Sequence, residues 1–210
     1  MIAKQLWLLA GGDGAGKSTF YREFLAPRAL PFVNADLIAR KLAPERPEDH
    51  AYQAAKVAER MRYDLLRRGL SFCFETVFSH PSKIDFLAEA KALGYETVLV
   101  FIHLENDELN QARVAQRVAE GGHSVPAEKL VRRIPRTLTH IRQALPLADM
   151  ARIYDNSSAE RPYQTIATLS QGDLIQYADP LPDWARVLLS EYLGKGVHEP
   201  LSGQSMRRPR

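Results

Sequence analysis

The sequence predicts an α/β fold in which short buried strands alternate with helices. Its 210 residues are 45% hydrophobic, which is enough to bury a core, and a chain of this length forms one domain by default. Short apolar runs alternate with stretches of helical periodicity, and a glycine-rich segment follows the first run. The run over residues 95–104 is rich in β-branched residues, which is typical of the centre of a parallel sheet.

The elements follow one another along most of the chain. Strands are predicted at residues 6–10, 30–34, 70–74, 95–104 and 150–154, and helices at 18–25, 37–42, 51–66, 81–93, 107–120 and 127–145. A hairpin over 165–169 and 174–177 and a helix over 182–193 come next. We therefore expect one domain over residues 1–193, with the hairpin and last helix at 160–193, and a disordered tail over 194–210.

The glycine-rich segment is a full Walker A match, Gly11-x-x-x-x-Gly16-Lys17-Ser18. Glycines allow backbone N–H groups to close around a phosphate without a Cβ in the way. Lys17 is expected to reach the β- and γ-phosphates of a nucleotide, and the Ser18 hydroxyl to bind Mg²⁺. As a loop residue, Lys17 is also expected to be exposed. The order strand, loop, helix separates this motif from a glycine-rich turn with a chance lysine.

Composition excludes several classes of protein. The formal net charge of +3 is too small to indicate a nucleic-acid partner, although the pI is near 9.0. The one cysteine, Cys73, excludes an internal disulfide and lies in an apolar run, as expected of a buried and inert thiol. No apolar run approaches the length of a membrane helix, and no cleavage site follows the first strand. We expect a cytoplasmic protein that binds neither nucleic acid nor membrane.

Two carboxylates follow predicted strands, at the edge where α/β sheets place their ligands. Asp36 follows the second strand, and Glu75 and Thr76 follow the third. Asp36 can take part in ligand chemistry or cap the helix over 37–42, and the spacing does not separate the two roles. Glu75 can bind Mg²⁺ through water or a substrate hydroxyl, or it can be buried against an arginine.

Arginines are concentrated on three predicted helices. In the helix over 51–66, apolar residues recur near the helical period and the arginines are interpreted as a solvated face. The next two Arg-rich helices are joined by a Gly-Gly loop and carry Arg113 and Arg117, and then Arg132 and Arg133. Such a pair can form a lid, at about 113–136, that closes on phosphates, or a surface hairpin with solvated arginines.

The motifs together resemble those of the zeta-toxin family of P-loop kinases, in the branch described as predicted ABC-type ATPases. The resemblance covers residues 4–157, and more weakly extends to residue 193. It is carried by these segments: AGGDGAGKSTF, FVNADLIA, SFCFETVFS, GYETVLVFIHL, RVAQRVAEGGHSVP, LVRRIPRTL and LADMARIYDNS. One departure lies in the phosphate loop itself, where Gly12-Asp13 replaces the Pro-Asn usual in this branch.

The resemblance implies a nucleoside-monophosphate-kinase-like fold of three layers, with strand order 2-3-1-4-5 and a helical lid. It implies that Asp36 takes the proton of an acceptor hydroxyl, and that Glu75 and Thr76 line the acceptor site. Arg117, with Arg132 or Arg133, would stabilise the transferred phosphate. It also implies ATP and Mg²⁺ as cofactors, with Mg²⁺ at Ser18. The ATP-binding set is Gly11, Gly12, Asp13, Gly14, Ala15, Gly16, Lys17, Ser18, Thr19 and Arg113.

Acceptors in this family are hydroxyl groups of nucleotide sugars such as UDP-N-acetylglucosamine, or of NAD, and toxin members are neutralised by a small antitoxin. The resemblance therefore implies a small-molecule kinase, with an antitoxin as a candidate partner. Two other classes remain as alternatives. One is an ATP-binding switch that acts on a protein partner, although the chain lacks a convincing ABC signature; the other is a nucleic-acid kinase, which the charge balance disfavours.

Overall fold

The computed structural model of the protein describes residues 3–105, 113, 127–194 and 199–200. Its centre is one twisted sheet in the order β2-β3-β1-β4-β5-β6-β7-β8. The strands are β1 (Gln5–Gly11), β2 (Phe32–Val33), β3 (Phe72–Thr76), β4 (Glu96–His103), β5 (Met150–Asp155), β6 (Gln164–Ser170), β7 (Asp173–Tyr177) and β8 (Glu199–Pro200).

The first five strands are parallel, and β1 lies between β3 and β4. This confirms the predicted α/β fold and the strand order 2-3-1-4-5. The predicted hairpin is present as β6 and β7, which extend the sheet in antiparallel fashion from β5. In the segment expected to be disordered, β8 instead pairs with the edge of β7, whose free backbone groups can accept another strand.

Helices cover both faces of the sheet. They are α1 (Lys17–Phe20), α2 (Ala35–Leu42), α3 (Ala51–Arg67), α4 (Ser82–Ala92), α5 (Ala127–Ala144) and α6 (Asp183–Leu188). The first helix differs from its prediction, because α1 continues as a π-helical turn over Tyr21–Leu25 and a 3₁₀ turn over Ala26–Arg28. The proline of that last turn cannot donate a backbone hydrogen bond, which prevents a longer α-helix. The last helix, α6, is also shorter than predicted.

The side chains of β1 alternate between two hydrophobic cores. Leu6 and Leu8 belong to a large cluster on one face of the sheet, while Trp7 and Leu9 belong to a smaller cluster on the other. Burial on both faces explains why this strand is a continuous apolar run in the sequence. Cys73 lies in the smaller cluster, and burial raises the pKa of its thiol, as expected of an inert cysteine. None of the helices in the described segments has the length and apolarity needed to span a bilayer.

Candidate active site

The phosphate loop connects β1 to α1 and requires its glycines. Gly16 has φ +92°, and a Cβ there would lie 2.6 Å from the Asn156 Nδ2 atom. A Cβ on Gly11 would lie 2.3 Å from the Ile102 carbonyl oxygen. Neither position therefore accepts a side chain, and the backbone stays free to surround a phosphate. This geometry fits the triphosphate of ATP.

Hydrogen bonds from the end of β5 and the following loop support the phosphate loop from behind. Asn156 Nδ2 donates to the Ala15 carbonyl at 2.9 Å, and the Tyr163 hydroxyl donates to the Gly16 carbonyl at 2.9 Å. Arg113 Nη1 donates to the Asn156 carbonyl at 2.9 Å, which places this predicted ATP-binding residue beside the support. Sequence reasoning assigned no role to Asn156 or Tyr163. The position of Asn156 just after a parallel strand was the available signal.

The side chain of Lys17 lies inside the phosphate loop, although it was expected to extend from the loop into solvent. Its side chain is only 6% exposed, and Nζ donates to the Gly12 carbonyl at 2.7 Å. The same Nζ lies 3.8 Å from Glu75 Oε1. The expectation of an exposed lysine is thus wrong, because the backbone carbonyl and the carboxylate hold the ammonium group at the base of the loop.

Glu75 connects the phosphate loop to the second strand. Its Oε2 accepts hydrogen bonds from Ser18 Oγ at 2.9 Å and from Asn34 Nδ2 at 2.7 Å, and its side chain is 10% exposed. Burial raises the pKa of the Glu75 carboxyl, and Asp36 adds to that rise, whereas Lys17, Ser18 and Asn34 oppose it. The alternative of a glutamate buried against an arginine is wrong, because the cation is Lys17.

Asn34, rather than Asp36, caps α2. Its Oδ1 accepts from the backbone N–H groups of Asp36 at 2.8 Å and Leu37 at 3.1 Å. The capping alternative for Asp36 is therefore wrong. Asp36 lies in the first turn of α2, and it lines a cavity that also contains Glu75 and Lys17. The two predicted carboxylates and the Walker lysine are brought together, as expected.

We expect Asn34→Ala to lower the free energy of unfolding by about 1–2 kcal/mol, because it removes a helix cap and a donor to Glu75. Denaturant unfolding measures this change. Asn34→Asp is the matched control, since aspartate caps equally well but places a second carboxylate against Glu75. Its stability should fall as the pH rises and both carboxylates ionise. Wild-type stability in Asn34→Ala would show that the cap is unimportant.

The oxygens of Ser18 and Glu75 suit Mg²⁺, a hard cation that prefers hydroxyl, carboxylate and phosphate ligands. Ser18 Oγ and Glu75 Oε2 lie 2.9 Å apart, so one Mg²⁺, or one water bound to it, can contact both oxygens. In the described parts of the chain, no three acidic, His or Cys side chains cluster in a way that could hold a metal. Phosphate oxygens and water would therefore complete the coordination.

Thr76 also lines the cavity, and its hydroxyl shapes the turn after β3. Thr76 Oγ1 accepts from the Phe78 backbone N–H at 3.0 Å, and Phe78 adopts φ +63° with its ring fully buried. The backbone carbonyls of this turn bind α5, where Thr137 Oγ1 donates to the Val77 carbonyl at 2.9 Å. The turn thus joins the end of β3, beside the cavity, to α5.

Of the predicted lid arginines, Arg133 reaches the phosphate loop. Its Nη1 lies 2.8 Å from Asp13 Oδ2, and both residues line the cavity. Asp13, which departs from the family pattern, is therefore the ion-pair partner of Arg133. Arg117 and the rest of the predicted helix over 107–120, apart from Arg113, lie outside the described residues, as does the side chain of Arg132.

The cavity has a volume of about 740 Å³ and extends from the phosphate loop to α3 and α4. Arg62 lies at its far end and is only 6% exposed. For Arg62 this corrects the interpretation of the α3 arginines as a solvated face, whereas Arg60 and Arg67 are exposed as expected. The buried face of α3 consists of Ala54, Ala58, Arg62 and Leu66, whereas the apolar side chain of Met61 is exposed. The four-residue spacing was the signal that sequence reasoning missed.

A family model described as an AAA domain matches residues 6–137, which include the Walker A motif, both carboxylates and Arg133. The chain belongs to this family. A relative from Haemophilus influenzae, an uncharacterized protein, is 30% identical over 139 residues, which are 63% of this chain and 98% of the relative.

Solved structures of low sequence identity share the fold of this chain. A crystal structure of AvrRxo1-ORF1 with ORF2 and ATP has a TM-score of 0.65 at 18% identity. The match covers 82% of this chain and 60% of that chain, so the protein spans about three fifths of this neighbour. A structure from the PezAT toxin–antitoxin system of Streptococcus pneumoniae has a TM-score of 0.61 at 15% identity, covering 94% of this chain and 81% of that chain.

Proposed function

We propose that this protein is an ATP-dependent small-molecule kinase of the zeta-toxin type. It would transfer the γ-phosphate of ATP to a hydroxyl of a nucleotide sugar such as UDP-N-acetylglucosamine, or of a related nucleotide. The observation that carries the proposal is the cavity that Lys17 of the phosphate loop lines together with Asp36 and Glu75, with the Ser18 hydroxyl hydrogen-bonded to Glu75 beside it. Its remaining volume, beyond the phosphate loop, has room for an acceptor.

Each side chain has a role in this proposal. Lys17 neutralises charge on the β- and γ-phosphates, while Ser18, with Glu75 beside it, would hold Mg²⁺, which orients the phosphates and offsets their charge. Asp36 accepts the proton of the attacking hydroxyl, and Thr76 lines the acceptor side of the cavity. Arg133 lies close enough to the loop to release the Asp13 carboxylate and bind a phosphate oxygen in its place. Arg117 and Arg132 remain proposed members of the same lid.

The test is phosphate transfer from γ-labelled ATP, with Mg²⁺, to a panel of nucleotide sugars, nucleotides and sugars. Label in a small molecule supports the kinase. Label released only as inorganic phosphate, and stimulated by a protein partner, would instead support the second candidate, an ATP-hydrolysing switch. That candidate is kept because the same loop and Mg²⁺ site can hydrolyse ATP when water replaces the acceptor.

We further propose that the kinase acts as a toxin with a small antitoxin partner. The support is the likeness in fold to a structure from the PezAT toxin–antitoxin system. Induced expression in a bacterial host tests it, with the inactive Lys17→Ala protein as the control. Growth arrest by the wild-type protein but not by Lys17→Ala supports a toxin. Equal growth of the wild-type and Lys17→Ala cultures contradicts it.

The lid arginine should act on the transition state. We expect Arg133→Ala to lower kcat by about 10²-fold or more while changing the KM for ATP much less, because a clamp on the transferring phosphate stabilises developing charge. Arg136→Ala is the matched control, since Arg136 is exposed on the same helix and does not line the cavity. A change in KM alone would limit Arg133 to ground-state binding.

A further inference from the structure

The far end of the cavity contains a buried cation, Arg62, that forms no ion pair with any residue the structure describes. Arg62 is more than nine-tenths buried, and its Nε atom has no hydrogen-bond partner. In the described segments of the chain, no carboxylate oxygen lies within ion-pair distance of Arg62. A buried charge without a partner is costly, so its presence in a cavity wall indicates that something else pairs with it.

Two aromatic rings hold the guanidinium group in place. The Arg62 Cζ atom lies 5.0 Å from the centre of the Phe74 ring and 5.6 Å from that of Phe86. Ring faces stabilise a cation but accept none of the directed hydrogen bonds of its N–H groups. The rings therefore fix the position of the guanidinium group and leave its donors available to a ligand in the cavity.

A second cation lines the same end of the cavity. Lys83, in the first turn of α4, donates to Ser82 Oγ at 3.0 Å, and burial together with Arg62 lowers the pKa of its ammonium group. Glu59 also lines this end and partly offsets both charges, but its side chain is exposed and forms no ion pair with either cation. Two cations thus line the cavity close enough to repel one another, and a small anion bound there would relieve that repulsion.

This site lies within reach of the phosphoryl-transfer groups. Phe74, which supports Arg62, precedes Thr76 by two residues on β3, a separation of about 7 Å along a strand. One small molecule can therefore place a hydroxyl at Asp36 and Glu75 and an anionic group at Arg62. Such a molecule would be fixed at both ends before transfer, which is how remote binding groups promote reaction.

We propose that Arg62 and Lys83 bind an oxyanion, a phosphate or a carboxylate, carried by the acceptor, and thereby select anionic acceptors over neutral ones. Arg62 supplies paired N–H donors and Lys83 a point charge. In its assignment of the anion to the acceptor, the inference rests on the proposed kinase function. The binding site itself does not depend on that function, and it can be tested without ATP.

The first test measures inorganic phosphate binding by calorimetry in the Lys17→Ala background, so that any phosphate bound at the loop is common to all samples. We expect Arg62→Met to weaken the binding at one site by about 10- to 100-fold, the effect of losing a charged donor. Arg60→Met, an exposed position of the same helix outside the cavity, should bind as well as its parent. Equal phosphate binding in the two variants would overturn the proposal.

Thermal stability separates ligand binding from a structural role. Replacing a buried, unpaired cation with methionine should leave Tm unchanged or raise it. A lower Tm with unchanged phosphate binding would mean that Arg62 is structural and would overturn the proposal. Lys83→Met, at a half-buried position, gives a second variant, for which we expect weaker phosphate binding in a folded protein.

The second test compares matched acceptors with γ-labelled ATP: glucose, glucose 6-phosphate and glucuronate, and uridine with UMP. Transfer only to the anionic acceptors supports the proposal and identifies phosphate or carboxylate as the group bound. Arg62→Met should then raise the KM for that acceptor and change kcat less. Equal transfer to neutral members would overturn the selection. If phosphate binds at Arg62 but no acceptor in any panel is labelled, the kinase function fails and the anion site stands.

Discussion

Replacing Lys17 with alanine is expected to lower phosphoryl transfer at least about 10³-fold, to the level of the background. Phosphoryl transfer depends on positioning and on neutralising charge, and Lys17 is the cation at the base of the phosphate loop. Single-turnover transfer from γ-labelled ATP measures the loss. Substantial turnover in a folded Lys17→Ala protein would contradict the proposed kinase.

Stability must be measured on the same sample, because Lys17 is buried rather than exposed. Its removal leaves Glu75 without its cation, although Ser18 and Asn34 still donate to that carboxylate. We expect a loss of about 1–3 kcal/mol in the free energy of unfolding, the scale for a charged hydrogen-bond partner. Lys17→Ala/Glu75→Gln removes both charges and should recover stability without recovering activity. This double variant separates an unfolded protein from an inactive one.

Local patterns were sufficient to predict the frame of the site. The apolar run of β1, the glycines after it and the positions of Asp36 and Glu75 just after predicted strands placed both carboxylates at one edge of the sheet, and the structure brings both to one cavity. The strand order itself came from the family resemblance. Parallel strands end at the same edge, so a residue that follows a strand can be located from the sequence alone.

Contacts between distant segments could not be predicted in this way. The Tyr163 hydroxyl donates to the carbonyl of Gly16, which lies 147 residues earlier in the chain, and no sequence periodicity predicts such a contact. For α2, asparagine and aspartate are equally good caps, so composition could not choose between Asn34 and Asp36. Arg62 was missed for a different reason. It lies four residues from Ala58 and from Leu66 on the buried face of α3, but the arginines of this helix were interpreted together as a solvated face, where arginine is usually found.

Replacing Asp36 with asparagine should lower acceptor phosphorylation by roughly 10²-fold or more while ATP binding stays near normal. A sugar or ribose hydroxyl is a poor nucleophile unless a base removes its proton. Asparagine keeps the size of aspartate but cannot accept the proton of that hydroxyl. Because Asn34 already caps α2, the variant should lose at most about 1 kcal/mol of stability, the scale of a carboxylate's interaction with a helix N-terminus. Melting temperature, ATP affinity and turnover are measured on one sample.

The pH dependence of the same variant decides between the two carboxylates. A general base must be ionised, so the rate rises with pH through the pKa of that base. If Asp36 is the base, the rise disappears with Asp36→Asn. Burial raises the pKa of Glu75, so if Glu75 is the base, the wild-type rise lies above the ordinary glutamate value of about 4.3. The charge of Asp36 helps to raise the pKa of Glu75, so in that case Asp36→Asn would move the pH–rate profile to lower pH while turnover stays high. Asp36 would then have no part in proton transfer.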